Sequence, residues 1–188
     1  MYLMASFLVV YGTEEGQTAD VATRITEVIE DRTHDVTTVD VESISDDTSV
    51  ETFDAALIGS SIHVGKHNEE IRSFVTAQQE ALRTRPTGFF QLSLSSAVDD
   101  ENRRAEAATY MEEFLEETGW SPDRIGLFGG ALRYSKYGFL KRLMMKQIAK
   151  KATGDVDTSR DYEYTDWGEV EAFAADFAAF VEARHGAD

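Results

Sequence analysis

The sequence predicts a doubly wound α/β fold, a five-stranded parallel sheet with helices on both faces. Three observations predict it. Short continuous apolar runs, typical of strands buried on both faces, alternate with longer stretches of helical spacing. The 188 residues suit one domain with length to spare for an insertion. Hydrophobic residues make up 42% of the chain, enough for a full core.

Residues 7–11 form the first apolar run, and a glycine-bearing loop follows it. Residues 18–32 then carry Val21, Ile25, Val28 and Ile29 at helical spacing. The second and third strands are expected at 36–41 and 55–59. Between the third and fourth lies a helix over 69–83, built on Ile71, Phe74, Val75 and Leu82 and ended by Pro86. The fourth strand is expected at 89–94. A helix over 101–118 follows, with Tyr110, Met111, Phe114 and Leu115 on its apolar side. The fifth strand spans 124–132. The last helix begins near Asp166, which with Glu169 makes an N-cap and N3 pair, and runs to about 184 on Phe173, Phe177, Phe180 and Val181. Strand order 2-1-3-4-5 and its dinucleotide-binding relative both suit this pattern. Either way, ligands sit at the carboxyl ends of the strands.

The 35 acidic residues against 18 basic ones give a net charge of −17. Such a surface repels phosphate backbones, so nucleic acid is not an expected partner, and it reads as salt-adapted. The absence of cysteine excludes disulfides, thiolate nucleophiles and thiolate-held metals. The four histidines, His34, His63, His67 and His185, do not form a metal-binding spacing, and no metal is expected. No run reaches the length of a bilayer span, so the chain is expected in the cytoplasm, with peripheral membrane contact left open.

The loop after the first strand reads Thr13-Glu14-Glu15-Gly16-Gln17-Thr18. A helix N-terminus there offers free N–H groups to an anion, Gly16 permits close approach, and the threonines add hydroxyl donors. It has no lysine and matches neither the Walker loop nor Gly-x-Gly-x-x-Gly. Thr-x-x-Gly-x-Thr at this place resembles the FMN-phosphate loop of flavodoxins, with the side chains of Glu14 and Glu15 expected to point outward. Ser60, Ser61, Ile62, His63, Val64 and Gly65 follow the third strand, and Leu94, Ser95, Ser96, Ala97 and Val98 the fourth. In flavodoxins these positions face the isoalloxazine ring. The second of these loops lacks the aromatic residue that many electron-carrier flavodoxins stack on the flavin, which implies a more open ring face.

Residues 131–153 carry seven of the 18 basic residues and no acidic one, leaving eleven basic against all 35 acidic residues elsewhere. Arg142, Lys146 and Lys150 fall on one ridge of a helix. Leu140, Leu143, Met144 and Ile148 gather beside it, with Met145 away from that arc. Such a helix reads as a membrane-surface or anionic-ligand element, or as an insertion whose lysines pair with the acidic body.

Four stretches together point to one family: Gly16-Gln17-Thr18; Gly59-Ser60-Ser61-Ile62; Gly130-Ala131-Leu132-Arg133-Tyr134; and Tyr164-Thr165-Asp166-Trp167. Over nearly its whole length the chain resembles the flavodoxin-like, menaquinone-dependent protoporphyrinogen IX dehydrogenases. The resemblance implies strand order 2-1-3-4-5, FMN as cofactor, protoporphyrinogen IX as donor and a membrane quinone as acceptor. It also implies a basic helical insertion at 134–160, with membrane contact through 136–151. It would place the FMN phosphate at Thr13 to Thr18 and the ring between the two later loops. Arg133, Tyr134, Lys136 and Tyr137 would fall at the substrate mouth. The cofactor carries the chemistry, and His63 is a candidate proton acceptor. The alternatives are a flavodoxin-type electron carrier with no organic substrate and a nicotinamide-fed quinone reductase.

Overall fold

The computed structural model describes residues 3–186. Its strands in chain order are β1 (Ser6–Gly12), β2 (Asp35–Asp40), β3 (Ala55–His63), β4 (Lys66–His67), β5 (Thr87–Ser93), β6 (Arg124–Gly129), β7 (Ala131–Leu132) and β8 (Tyr162–Glu163). The helices are α1 (Gln17–Glu30), α2 (Glu69–Ala77), α3 (Gln79–Arg83), α4 (Glu101–Thr118), α5 (Phe139–Ala152) and α6 (Trp167–His185). Five strands pair in parallel in the order β2-β1-β3-β5-β6, which is the expected 2-1-3-4-5 when only the parallel strands are counted.

Alternation along the central strands sends side chains to two cores. Phe7 and Val9 of β1 pack with Val21, Ile25 and Ile29 of α1 and with Ala174 and Phe177 of α6. Leu8 and Val10 pack on the other face with Ile71 and Val75 of α2, Leu82 of α3 and Phe114 of α4. Each such fully buried large side chain contributes roughly 1.5–3 kcal/mol. Gly59 leaves room in β3 for a neighbour: a Cβ there would lie 2.0 Å from the ring of Phe90.

Helix ends follow local chemistry. Asn68, Asp100 and Asp166 each accept a hydrogen bond from the backbone N–H three residues on, at 3.1–3.2 Å. Gly119, at φ +67°, closes α4.

Three elements differ from expectation. The helix expected over 69–83 is divided at Gln78, whose side chain accepts from Val50 N at 3.2 Å. The third strand runs on to His63 because β4 folds back on it as a hairpin. The fifth stops at Gly129, where a Cβ would meet the carbonyl oxygen of Tyr164 at 2.4 Å. The chain then forms β7, which pairs antiparallel with β8. The insertion at 134–160 thus leaves and returns through one short ladder, with Leu132, Tyr134, Tyr137, Met145 and Ala149 in a small core of its own.

His67 is buried beneath the hairpin, 4.6 Å from the ring centroid of Phe114. Gln91 gives its amide N–H to Ala107 O, so its oxygen accepts from His67 Nε2 at 2.8 Å, which fixes a proton on that ring nitrogen. Burial lowers its pKa from 6.5 to about 4, with the Gln91 bond opposing and Arg72 reinforcing the shift. The folded chain resists a proton that the unfolded chain takes up below pH 6.5. Stability is therefore whole above pH 6.5 and lost as pH falls toward 4, by roughly 3 kcal/mol in all. Urea midpoints of the wild type are expected to fall further than those of His67→Gln over this range. Equal losses would assign the acid limb to other groups.

Candidate functional site

The carboxyl ends of β1, β3 and β5 open into one cavity of about 360 Å³, within the size range of small-ligand sites. Its first wall is the loop into α1. Gly16, at φ +95°, donates its N–H to Thr13 Oγ1 at 2.9 Å, and no side chain caps the helix. Gln17 and Thr18 of this first turn line the cavity, and among the described residues no side chain caps the helix N–H groups. Thr18 Oγ1 is buried and has no hydrogen-bond partner among the described residues. An orphaned hydroxyl beside uncapped helix N–H groups fits a phosphate that would accept from both.

Glu14 and Glu15 are turned onto basic groups and a tyrosine. Glu14 Oε2 lies 3.3 Å from His63 Nε2 and 3.9 Å from Lys141 Nζ. Glu15 accepts from Tyr137 OH at 2.7 Å and lies 3.7 Å from Lys141 Nζ. Arg133 donates to Gln17 Oε1, and Gln17 Nε2 donates in turn to Thr165 Oγ1 at 2.8 Å. Thr165 donates to the carbonyl of Gly129, which ties the loop to the end of β6.

The second wall is the β3–β4 hairpin. Val64 and Gly65 form its tip with φ of +49° and +74°. A β-branched residue in the left-handed region costs on the order of 1–3 kcal/mol, strain of a kind concentrated at binding sites. The third wall comes from the loop after β5 and from α4. Glu106 accepts at 2.9 Å from Ser95 Oγ, Arg103 Nη1 and Tyr110 OH. Burial pushes its carboxyl up, but these three donors outweigh it and hold the pKa below the usual range. Burial and Glu106 push the Tyr110 hydroxyl up to about 12, so it stays protonated at neutral pH. The last wall is α5, which contributes Met145, Ile148, Lys151 and Ala152. Arg103 also donates to the carbonyl of Lys151, joining α4 to α5 across the cavity.

Of the residues expected to hold the cofactor, Thr13, Glu14, Glu15, Gln17, Thr18, Ser61, Ile62, His63, Val64, Gly65, Leu94 and Ser95 line this cavity. Gly16 shapes the loop by its backbone. Ser60 is buried and accepts from Asn68 N at 3.1 Å, so it fastens the start of α2. Ser96 accepts from Ser93 Oγ at 3.0 Å; neither it nor Ala97 and Val98 lines the cavity.

Arg133, Tyr134, Lys136 and Tyr137, expected at a substrate mouth, lie behind the phosphate loop and off the cavity wall. Tyr134 is fully buried, its hydroxyl donating to Asp155 O at 3.0 Å, and Tyr137 is buried beside it. Arg103, Glu106, Tyr110, Met145, Ile148 and Lys151 line the cavity without having been expected there. Tyr110 supplies an aromatic wall that the loop after the fourth parallel strand lacks. The signal for this α4 face was available: Arg103, Glu106 and Tyr110 recur at i, i+3 and i+7.

A flavodoxin-domain family model matches residues 8–159. A protoporphyrinogen IX dehydrogenase [quinone] of Leishmania major is 33% identical over 174 residues, spanning 92% of this chain and 74% of that protein. The Escherichia coli K12 protein of the same name is 31% identical over 175 residues, 93% of this chain and 96% of that one. Among solved structures, a flavodoxin from the domain Archaea superposes with a TM-score of 0.56 at 17% identity. That match covers 94% of this chain and 99% of the other, a likeness of fold.

Thr18→Val tests the cradle. Removing an unpartnered buried hydroxyl is expected to leave the urea midpoint at or above the wild-type value. FMN affinity, followed by flavin fluorescence, is expected to fall about tenfold, the worth of one hydrogen bond of ordinary strength. An unchanged affinity would remove Thr18 from the phosphate site.

Proposed function

The chain belongs to the protoporphyrinogen IX dehydrogenase (quinone) family of flavodoxin domains, and we propose that it oxidises protoporphyrinogen IX to protoporphyrin IX, with FMN as cofactor and menaquinone as the acceptor. FMN supplies the redox chemistry when bound, taking electrons from an organic donor and passing them to the acceptor. The protein's part is to bind, orient and enclose. Thr13, Gly16 and Thr18 would hold the phosphate, while Ser61 to Gly65 and Leu94 with Ser95 would flank the ring. Glu106, already saturated by three donors, would keep α4 rigid behind the site. His63, bound to Glu14, is the proton acceptor this reading favours near the loop tip.

The observation that carries the reading is the position of α5. Its inner face, with Met145, Ile148 and Ala152, closes an apolar side of the cavity. Its outer face leaves Phe139 77% and Leu140 79% exposed, with Leu143 and Met144 beside them. Lys146 and Lys150 are exposed on the same helix. An apolar macrocycle with propionates and a lipid-soluble quinone both suit a cavity roofed by such a helix. A soluble electron shuttle has no use for it. No helix among the described residues is long and apolar enough to cross a membrane, so the contact proposed is peripheral, through residues 136–151.

The first experiment adds protoporphyrinogen IX, without oxygen, to FMN-loaded protein in high salt. The flavin absorbance is expected to bleach as protoporphyrin appears, and a menaquinone analogue is expected to restore it. A flavin that ignores the porphyrinogen yet reduces with dithionite would favour the electron carrier instead. In sedimentation with anionic lipid vesicles, the wild type is expected to pellet and Leu140→Glu to remain in the supernatant with its FMN bound. Equal behaviour of the two would refute membrane contact through α5.

A further inference from the structure

The phosphate loop carries two carboxylates, Glu14 and Glu15, and no cation of its own. A phosphate beside them meets like charge at close range, which opposes binding. Compensation reaches the loop from more than a hundred residues away. Lys136 Nζ donates to the carbonyl oxygen of Glu15 at 2.8 Å and would lie 3.4 Å from a Cβ at Gly16. Lys141 Nζ stands 3.7 Å from Glu15 and 3.9 Å from Glu14. Tyr137 OH accepts from Arg133 N at 3.2 Å and donates to Glu15 Oε2 at 2.7 Å.

The other Glu15 oxygen, Oε1, is buried with no hydrogen-bond partner among the described residues and faces Lys141 Nζ at 3.7 Å, so the Tyr137 bond is the one side-chain hydrogen bond on this carboxylate among those residues. Burial and Glu15 push the Tyr137 hydroxyl strongly upward, so it remains a donor at any working pH.

Resting on the FMN reading above, we propose that the base of the insertion is a working part of the cofactor site. Lys136 and Lys141 supply the positive charge that the phosphate loop lacks. Tyr137 is a positioning residue that holds Glu15, and through it the loop backbone, in the conformation that presents its N–H groups. FMN affinity and the folded insertion are then linked: each stabilises the other by the same free energy. Removing the whole insertion would loosen the flavin along with any substrate or membrane contact.

The test compares FMN with riboflavin, which has the ring and no phosphate, by fluorescence titration of flavin-free protein. Lys136→Gln and Tyr137→Phe are each expected to weaken FMN about tenfold and riboflavin by less than about twofold. Added salt is expected to recover more FMN affinity in Lys136→Gln than in the wild type, because only there do the two carboxylates stand with a single lysine to balance them. Glu15→Gln keeps an acceptor for Tyr137 while removing a charge, and is expected to tighten FMN. Equal weakening of FMN and riboflavin would show a general effect on the fold and overturn the proposal, as would unchanged FMN affinity in both variants. A wild type that takes up no FMN at all is a different result, and it overturns the functional reading itself.

Discussion

The side-by-side, parallel arrangement of β1, β3 and β5 is the constraint on which the rest of the structure depends. Parallel strands release their following loops at one edge, so three loops distant in sequence meet around a single cavity. Strand pairing itself provides no chemistry. It brings an uncapped helix N-terminus, a strained hairpin tip and a serine-bearing loop within reach of one ligand. The two cores above and below the sheet keep that edge in place, and small residues such as Gly59 let large rings pack across it.

Charge is distributed to serve the same edge. The body is strongly acidic, and the insertion holds five of the chain's six lysines. Lys151 lines the cavity, and the other four divide between two further environments. Lys136 and Lys141 turn inward onto the phosphate loop, where they face the carbonyl and carboxylates of Glu14 and Glu15. Lys146 and Lys150 turn outward beside Phe139 and Leu140. One basic segment thus meets the acidic body on one side and presents a cationic, apolar surface on the other. Both readings of its charge, internal pairing and an outward docking face, have residues to support them.

The α4 cluster adds rigidity without adding net positive charge. Glu106 gathers Ser95, Arg103 and Tyr110, and Arg103 continues to the carbonyl of Lys151. A carboxylate satisfied by three donors in a partly buried place resists rearrangement, because each bond lost there exposes a charge with fewer partners. The roof formed by α5 is therefore fastened at two points, by Arg103 near its end and by Tyr137 just before its start.

Much of this was legible in the amino-acid sequence, for a local reason. Apolar runs, cap residues and glycines act on their own neighbours. The helix over Glu101–Thr118, bounded by Asp100 and Gly119, could thus be read to the residue, and Asp166 could be recognised as a cap. The phosphate loop belongs to the same class, since its backbone geometry follows from Thr13 and Gly16. The environment of the insertion was not legible. Met145, which lies off the apolar arc of its helix, is buried, whereas Leu140 on that arc is exposed. Helical periodicity gives the angle between side chains and not the direction of the body. Nor could sequence show that Tyr134 and Tyr137 face inward. By itself the sequence determined the five parallel strands, the helices apart from the break at Gln78, the order of the loops and the excess of charge, all set by short-range sterics and composition. Only the tertiary structure decided which face of α5 borders the cavity and which distant cations stand beside Glu14 and Glu15. The contacts to Glu14 and Glu15 from the insertion join residues more than a hundred positions apart and exist only once the sheet has brought their loops together.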